Sequence, residues 1–100
     1  MEFTITVVNK SAVQAKNGAI TVRICPRCEF AEEPKGFGKP ENGPSSDRAR
    51  AFSAFEATTV MEIPLKVKDP FPSPRRMEVD VTLRCENCRV EPKTTLFVNY

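Results

Sequence analysis

One hundred residues suffice for one folded domain, and 24 of them are Leu, Ile, Val or Phe, enough apolar side chains to build a core. The formal net charge of +2, from 15 basic and 13 acidic side chains, is too small for a dedicated nucleic-acid binder. The chain contains no His, which excludes an imidazole base or ligand and leaves four Cys as soft ligands or thiol nucleophiles.

The beginning of the chain shows no targeting signal. No apolar run reaches the ~18 residues needed to cross a bilayer, and the first ten residues alternate polar and apolar side chains. We therefore expect an intracellular, cytoplasmic protein without a membrane partner. In that reducing compartment four cysteines are more often metal ligands than disulfides.

The composition favours strands, because Val, Ile and Thr total 22 whereas Leu, Met and Ala total 14. Apolar residues alternate with threonines from Phe3 to Val8, which predicts a first strand. Asn17-Gly18 lies between two further alternating runs and predicts a tight hairpin that places Val13 opposite Val22.

Residues 34–47 hold three of the four glycines and several prolines, which predicts a flexible loop. Phe37 stands between two glycines in this loop and is expected to be exposed. Two interpretations stay open: a surface loop without a function, or a docking element that becomes ordered on a partner. The length favours the docking element, since a structureless loop of this length is uncommon in a compact domain.

The region after the loop has two interpretations. Apolar residues occupy nearly every odd position from Phe55 to Val67, which predicts a long strand interrupted by Pro64, a residue that requires a sheet edge or a bulge. A competing interpretation makes residues 47–57 a short helix with its cap at Ser46 or Asp47.

The last third contains a stiff connector and two strands. Prolines at every second position make residues 69–76 extended. Alternation from Met77 to Arg84 and the apolar residues of 94–100 predict the last strands. Together these features predict a single all-β domain over residues 1–100, an antiparallel sheet of five to six strands with at most one short helix.

The four cysteines form two C-x-x-C units, Cys25-Cys28 and Cys85-Cys88, separated by 56 residues. Two intervening residues let a tight turn direct both sulfurs toward one point, so two such turns supply the four thiolates of a tetrahedral zinc site. We therefore predict one structural Zn²⁺ that joins the two units and staples the domain. With all four positions filled by protein, the ion would not catalyse.

Other interpretations of the cysteines remain open. The alternatives are two pairs of buried thiols or two separate redox dithiols, although no convincing helix follows either pair to lower a thiol pKa. Residues 25–28 resemble the metal-binding knuckle of rubredoxin, which implies an iron electron carrier. Glu29 and Arg89 stand where that family has glycine.

The double C-x-x-C pattern, with its flanking strands, is similar to that of zinc ribbons and of the β-tent group. That group includes the nucleotide-exchange chaperone for Rab GTPases, the Yippee-type proteins and the RNA-sensing C-terminal domain of cytosolic helicase receptors. The resemblance covers the four cysteines and their strands, and it implies a zinc-binding β-domain without implying a function.

We predict a non-catalytic binding module that acts as a protein–protein adaptor or inhibitor, because the chain lacks an acid/base pair, a nucleophile with its base and a phosphate-binding loop. The alternative is an RNA- or DNA-binding zinc domain. Bound as four thiolates around Zn²⁺, the cysteines would lower the net charge to about zero, which favours a protein partner and self-association. The candidate contact residues are Lys35, Phe37, Lys39, Arg48, Arg50, Arg75 and Arg76.

Overall fold

Seven strands form two antiparallel sheets in the computed structural model, which describes residues 2–41, 43–68, 76–88 and 93–99. The strands are β1 (Glu2–Val8), β2 (Ala15–Arg23), β3 (Glu29–Glu32), β4 (Asp47–Phe55), β5 (Val60–Lys68), β6 (Arg76–Cys85) and β7 (Lys93–Asn99). One sheet has the order β1-β5-β3 and the other β4-β2-β6-β7. The predicted all-β class is confirmed, with seven strands rather than five to six and no helix in the described ranges.

The core is a single cluster of buried side chains contributed by both sheets, which therefore pack face to face. Alternation explains its composition, since every second residue of β5 is buried and its neighbours are exposed. The fully buried large side chains are Ile20, Ile24, Ile63, Leu65, Met77, Val22, Val67 and Val79.

The predicted hairpin at Asn17-Gly18 is wrong. Both residues lie within β2, which runs unbroken and pairs with β4 on one side and β6 on the other. Asn17 keeps the positive φ (46°) that an Asn-Gly turn would use, but the chain continues instead of reversing. Val13 is therefore 59% exposed and does not lie opposite Val22.

Residues 47–55 form β4, so the short helix is also wrong, and the predicted long strand is divided. The chain turns through residues 56–59, where Thr58 has a positive φ of 60°, and β5 follows. Pro64 lies within β5 opposite Thr4, whereas β3 pairs only with the Lys66–Lys68 end of β5. Pro64 thus has a paired strand on one side, which satisfies the edge requirement.

Three of the remaining strands agree with expectation, whereas β3 was not predicted. β1, β6 and β7 match the strands read from alternation, and β7 ends at Asn99. The predicted stiff connector lies, for residues 69–75, outside the described residues. No described segment is a helix that is long and apolar enough to cross a membrane.

Candidate functional site

The first cysteine pair lies where the chain passes from one sheet to the other, in the turn between β2 and β3. Cys28 N donates a hydrogen bond to Cys25 O at 2.9 Å, which closes the turn. The two residues are buried, with 7% and 6% exposure, and belong to the core cluster. They lie at disulfide distance from each other, with their Cα atoms 5.1 Å apart.

The second pair begins at the last residue of β6 and is also at disulfide distance, again with 5.1 Å between the Cα atoms. Its turn is held against the start of β2 by Asn87, whose Oδ1 accepts from Lys16 N (2.9 Å) and whose Nδ2 donates to Gln14 O (2.9 Å). Glu86 N also donates to Lys16 O at 2.9 Å. Unlike the first pair, Cys85 and Cys88 are only half-buried.

The structure separates the two pairs. In the antiparallel β2–β6 ladder, Cys85 lies opposite Gly18 and Asp80 lies opposite Arg23, so Cys25 is at the other end. Cys25 follows Arg23 by two residues, so it lies beyond the far end of this ladder, whose five steps from Gly18 to Arg23 span about 17 Å at ~3.3 Å per residue. Sulfurs that share one Zn²⁺ lie about 4 Å apart, given Zn–S bonds of ~2.3 Å.

The structure therefore does not bring the four cysteines of the predicted centre together. Across the ranges that the structure describes, no three His, Cys, Asp or Glu side chains are close enough together to hold a metal ion. Antiparallel pairing of β2 and β6 points the two turns in opposite directions. Zinc itself stays a prediction.

Cys85 and Cys88 border a cavity of about 370 Å³ at their end of the fold, which we call the end cavity. Its other lining residues are Val8, Asn9, Ser11, Val13, Gln14, Ala15, Phe55, Leu83 and Asn87. None of these side chains is charged. By contrast, the wide depression beside Cys25 is lined by charged residues, including Arg23, Arg27, Glu78 and Asp80.

Arg48, predicted as a partner or nucleic-acid contact, is instead an internal residue with 8% exposure. Its guanidinium forms a two-point ion pair with Glu33 (2.6 and 2.9 Å), donates to Ser45 O (2.8 Å) and stacks 4.5 Å from the Phe30 ring centroid. The hydrogen bond raises the pKa of Arg48 and lowers that of Glu33. The guanidinium of Arg48 is therefore used in contacts within the fold.

The Phe37 loop is attached to the sheet. Phe37 is half-buried and packs against the core cluster, so its expected exposure is wrong. Two hydrogen bonds of 2.9 Å join Gly38 to Ala49, next to Arg48 in β4. Gly36 has a φ of 82°, which a side-chain-bearing residue rarely adopts.

The other candidate contacts are not gathered into a demonstrated interface. Lys35 and Lys39 are exposed on the loop, and Arg50 is half-buried in β4 beside Gly36. Arg75 lies outside the described residues, as does the side chain of Arg76.

Arg23, near the first cysteine pair, is used in an ion pair. Its Nε donates a hydrogen bond to Asp47 Oδ1 (2.7 Å), and its Nη2 donates one to Asp47 Oδ2 (2.9 Å). The hydrogen bond to the buried Asp47 carboxylate raises the pKa of Arg23. Arg23 therefore joins the end of β2 to the start of β4.

A second apolar opening, of about 290 Å³, lies between strands of the two sheets, and we call it the β1–β7 groove. It is lined by Ile5, Thr6, Val7, Val8, Val81, Leu83, Thr94 and Leu96. These residues come from β1, β6 and β7, and none carries a charge. β1 and β7 are each the outermost strand of their sheet.

Sequence reasoning missed both the groove and Asn87. The groove brings β1 together with β6 and β7, whose lining residues lie more than 70 residues further along the chain, so no local pattern marks it. Asn87 lies inside the second C-x-x-C unit. Its position could have predicted a side-chain hydrogen bond to the backbone, because Asn commonly makes such bonds in turns.

Comparison with known proteins found no matching family model, no similar curated protein and no similar solved structure.

Proposed function

We propose that this protein is a non-catalytic binding module that takes up an extended, uncharged segment of a partner protein in the β1–β7 groove. The observation that carries the proposal is the groove's lining, which is wholly uncharged and lies between the outermost strands of two sheets. Apolar clefts of this kind bury hydrophobic side chains of a bound chain.

The position of β1 provides backbone recognition. Within the described residues β1 has a hydrogen-bonded strand neighbour on one side only, namely β5. An extended peptide can add to such an edge as a further strand, so that main-chain hydrogen bonds provide affinity and side-chain pockets provide selectivity. A bound segment would then extend the β1-β5-β3 sheet.

The side chains of the groove specify the chemistry of the segment. Leu83 and Leu96 in its lining are half-buried, and the exposed hydroxyl residues Thr6 and Thr94 come from β1 and β7. A charged side chain entering here would lose its hydration without an ionic partner from the lining residues. The groove therefore favours an uncharged segment rich in β-branched or aromatic residues.

A partner segment suits the groove better than a second copy of β1 does. In β1 the inward-facing Ile5 is only 6% exposed because it packs in its own core. A second copy would present only the outward face of its strand, Thr4, Thr6 and Val8. Such a face cannot place large apolar side chains against Leu83 and Leu96.

The test is selection of binding peptides followed by a charge placed in the groove. A random peptide library is panned against the intact chain, and the affinity of one selected peptide is measured by fluorescence anisotropy. Thr6→Lys places a cation on the groove wall, whereas Thr4→Lys places the same cation on the same exposed face of β1 but outside the lining. Light scattering of the free protein reports its molar mass.

We expect uncharged sequences to be enriched, and Thr6→Lys to weaken the selected peptide at least tenfold while Thr4→Lys changes its Kd less than twofold. Equal effects of the two variants, or enrichment of acidic peptides, would contradict the groove as the binding site. A dimer that Thr6→Lys dissociates would show that a second copy occupies the edge instead.

A further inference from the structure

We propose that the reduced Cys85/Cys88 pair is a two-thiolate binding site for one soft monovalent metal ion, of which Cu(I) is the representative. The site is at the rim of the end cavity. It is separate from the groove's proposed function, although the two openings share Val8 and Leu83 as lining residues.

The number of ligands selects the ion. Cys25 and Cys28 lie beyond the opposite end of the β2–β6 ladder from Cys85, and the chain has no His. Within the described part of the chain, no third Cys, Asp or Glu completes a metal-binding group. Zn²⁺ in structural sites takes four ligands, whereas thiolates select Cu(I), a d¹⁰ ion that is stable with two of them.

Access distinguishes this pair from the other. Cys25 and Cys28 are 7% and 6% exposed and lie within the core cluster. Cys85 and Cys88 are half-buried, and both line the end cavity. An incoming ion therefore reaches the second pair without opening the core.

The second turn is held in place before any ion binds. Asn87 bonds the backbone at Gln14 and Lys16, and Glu86 N bonds Lys16 O. Three hydrogen bonds thus attach the turn between the two cysteines to the start of β2 and to the residue before it. Cys85 Sγ lies 3.5 Å from Asn87 Oδ1. Such fixed geometry lowers the entropy lost when two thiolates converge on one ion.

The surroundings favour a soft ion of low charge. The cavity lining includes no carboxylate, the preferred ligand of hard cations. The nearest acidic residue in sequence, Glu86, is held by Asn17 Nδ2 at 2.6 Å. Two thiolates and one Cu⁺ carry a net charge of −1, a smaller charge to place beside Val8, Val13 and Phe55 than the −2 of a four-thiolate zinc centre.

Formation of the Cu(I) complex takes two steps, reduction of the cysteine pair and binding of the ion. A thiol reductant first converts the disulfide-linked pair into two thiols, and its own two thiols become a disulfide. The two thiols then bind Cu⁺ through two S–Cu bonds and release two protons, which leaves a complex of charge −1. Cu(I) is neither oxidised nor reduced.

The experiment titrates the reduced, desalted protein with Cu(I) under anaerobic conditions against a chromophoric Cu(I) chelator. Cys85→Ala/Cys88→Ala removes the proposed ligands, and Cys25→Ala/Cys28→Ala is the matched control. Circular dichroism checks that each variant is folded. Asn87→Ala keeps all four thiols, so it remains informative if a cysteine variant does not fold. X-ray absorption counts the sulfur ligands of the bound ion.

We expect one tightly bound Cu(I) per monomer, with two sulfur ligands, in the wild type and in the Cys25/Cys28 control. The Cys85/Cys88 variant should lose at least 100-fold in affinity, and Asn87→Ala about tenfold. The proposal is overturned if both pairs bind Cu(I) equally or if the protein takes no Cu(I) from the chelator. It is also overturned if the protein binds Zn²⁺ through four sulfurs with a doubled molar mass.

Discussion

Gly18 offers a direct test of the strand packing that separates the two cysteine pairs. An alanine Cβ at this position would lie 2.0 Å from Arg84 O, 2.7 Å from the Phe52 ring and 2.9 Å from Cys85 Cα. Ordinary contact begins near 3.4 Å, so β6 would have to move by about 1.4 Å from β2. Two of the three obstructing atoms belong to the backbone, which cannot rotate away.

Overpacking of a core usually costs about 1–3 kcal/mol, and a backbone obstruction places Gly18→Ala at the upper end, about 3 kcal/mol. At ~4–8 °C per kcal/mol for a domain of this size, the Tm should fall by about 12–24 °C. Gly38→Ala is the matched control, because no atom lies within 4 Å of the position that its Cβ would occupy.

The measurement is thermal unfolding followed by circular dichroism, with both variants in the same buffer and redox state. We expect Gly38→Ala to change the Tm by no more than a few degrees. If Gly18→Ala melts within about 3 °C of the wild type, β6 does not lie against Gly18 as described.

Two further predictions concern the buried guanidinium and its partner. Arg48→Met should lower the free energy of unfolding in urea by about 2–3 kcal/mol, because it removes charged hydrogen bonds to the carbonyls of Ser45 and Asp47. Lys39→Met, an exposed control, should change it by less than ~0.5 kcal/mol. The pKa of Glu33 is held below its ordinary value of 4.5 by Arg48, so its stabilising effect is complete above pH 4.5 and is lost as the pH falls through the lowered pKa. Urea midpoints at pH 5.5, 4.5 and 3.5 should therefore fall less steeply for Glu33→Gln than for the wild type, and parallel slopes would contradict this pairing.

Local alternation predicted three strands well and failed where pairing overrode local preference. β1 and β6 follow it directly because each has one face toward the core. Asn17-Gly18 is typical of a hairpin turn, yet both residues lie in one continuous strand, because β2 pairs with β4 on one side and with β6 on the other. The strand β3 has only four residues and one half-buried side chain, Phe30, so its sequence carries almost no periodic signal.

Only part of the candidate site could be predicted from the sequence. C-x-x-C spacing correctly indicated two tight turns with paired sulfurs, since the geometry within four residues is local. The distance between the turns depends on whether β2 and β6 run parallel or antiparallel. The role of Arg48 was likewise hidden, because its partner Glu33 is 15 residues away, across the Phe37 loop.

The sequence by itself determined the all-β class, because alternating side chains with few helix-forming residues can bury an apolar face only as strands. It also determined that thiols are the chain's soft ligands and that they come in pairs. The tertiary structure decided that the pairs lie at opposite ends of one sheet, since antiparallel pairing reverses the direction in which β2 and β6 deliver them. It also decided that one pair is sealed in the core while the other faces an uncharged cavity, because burial depends on how two sheets stack.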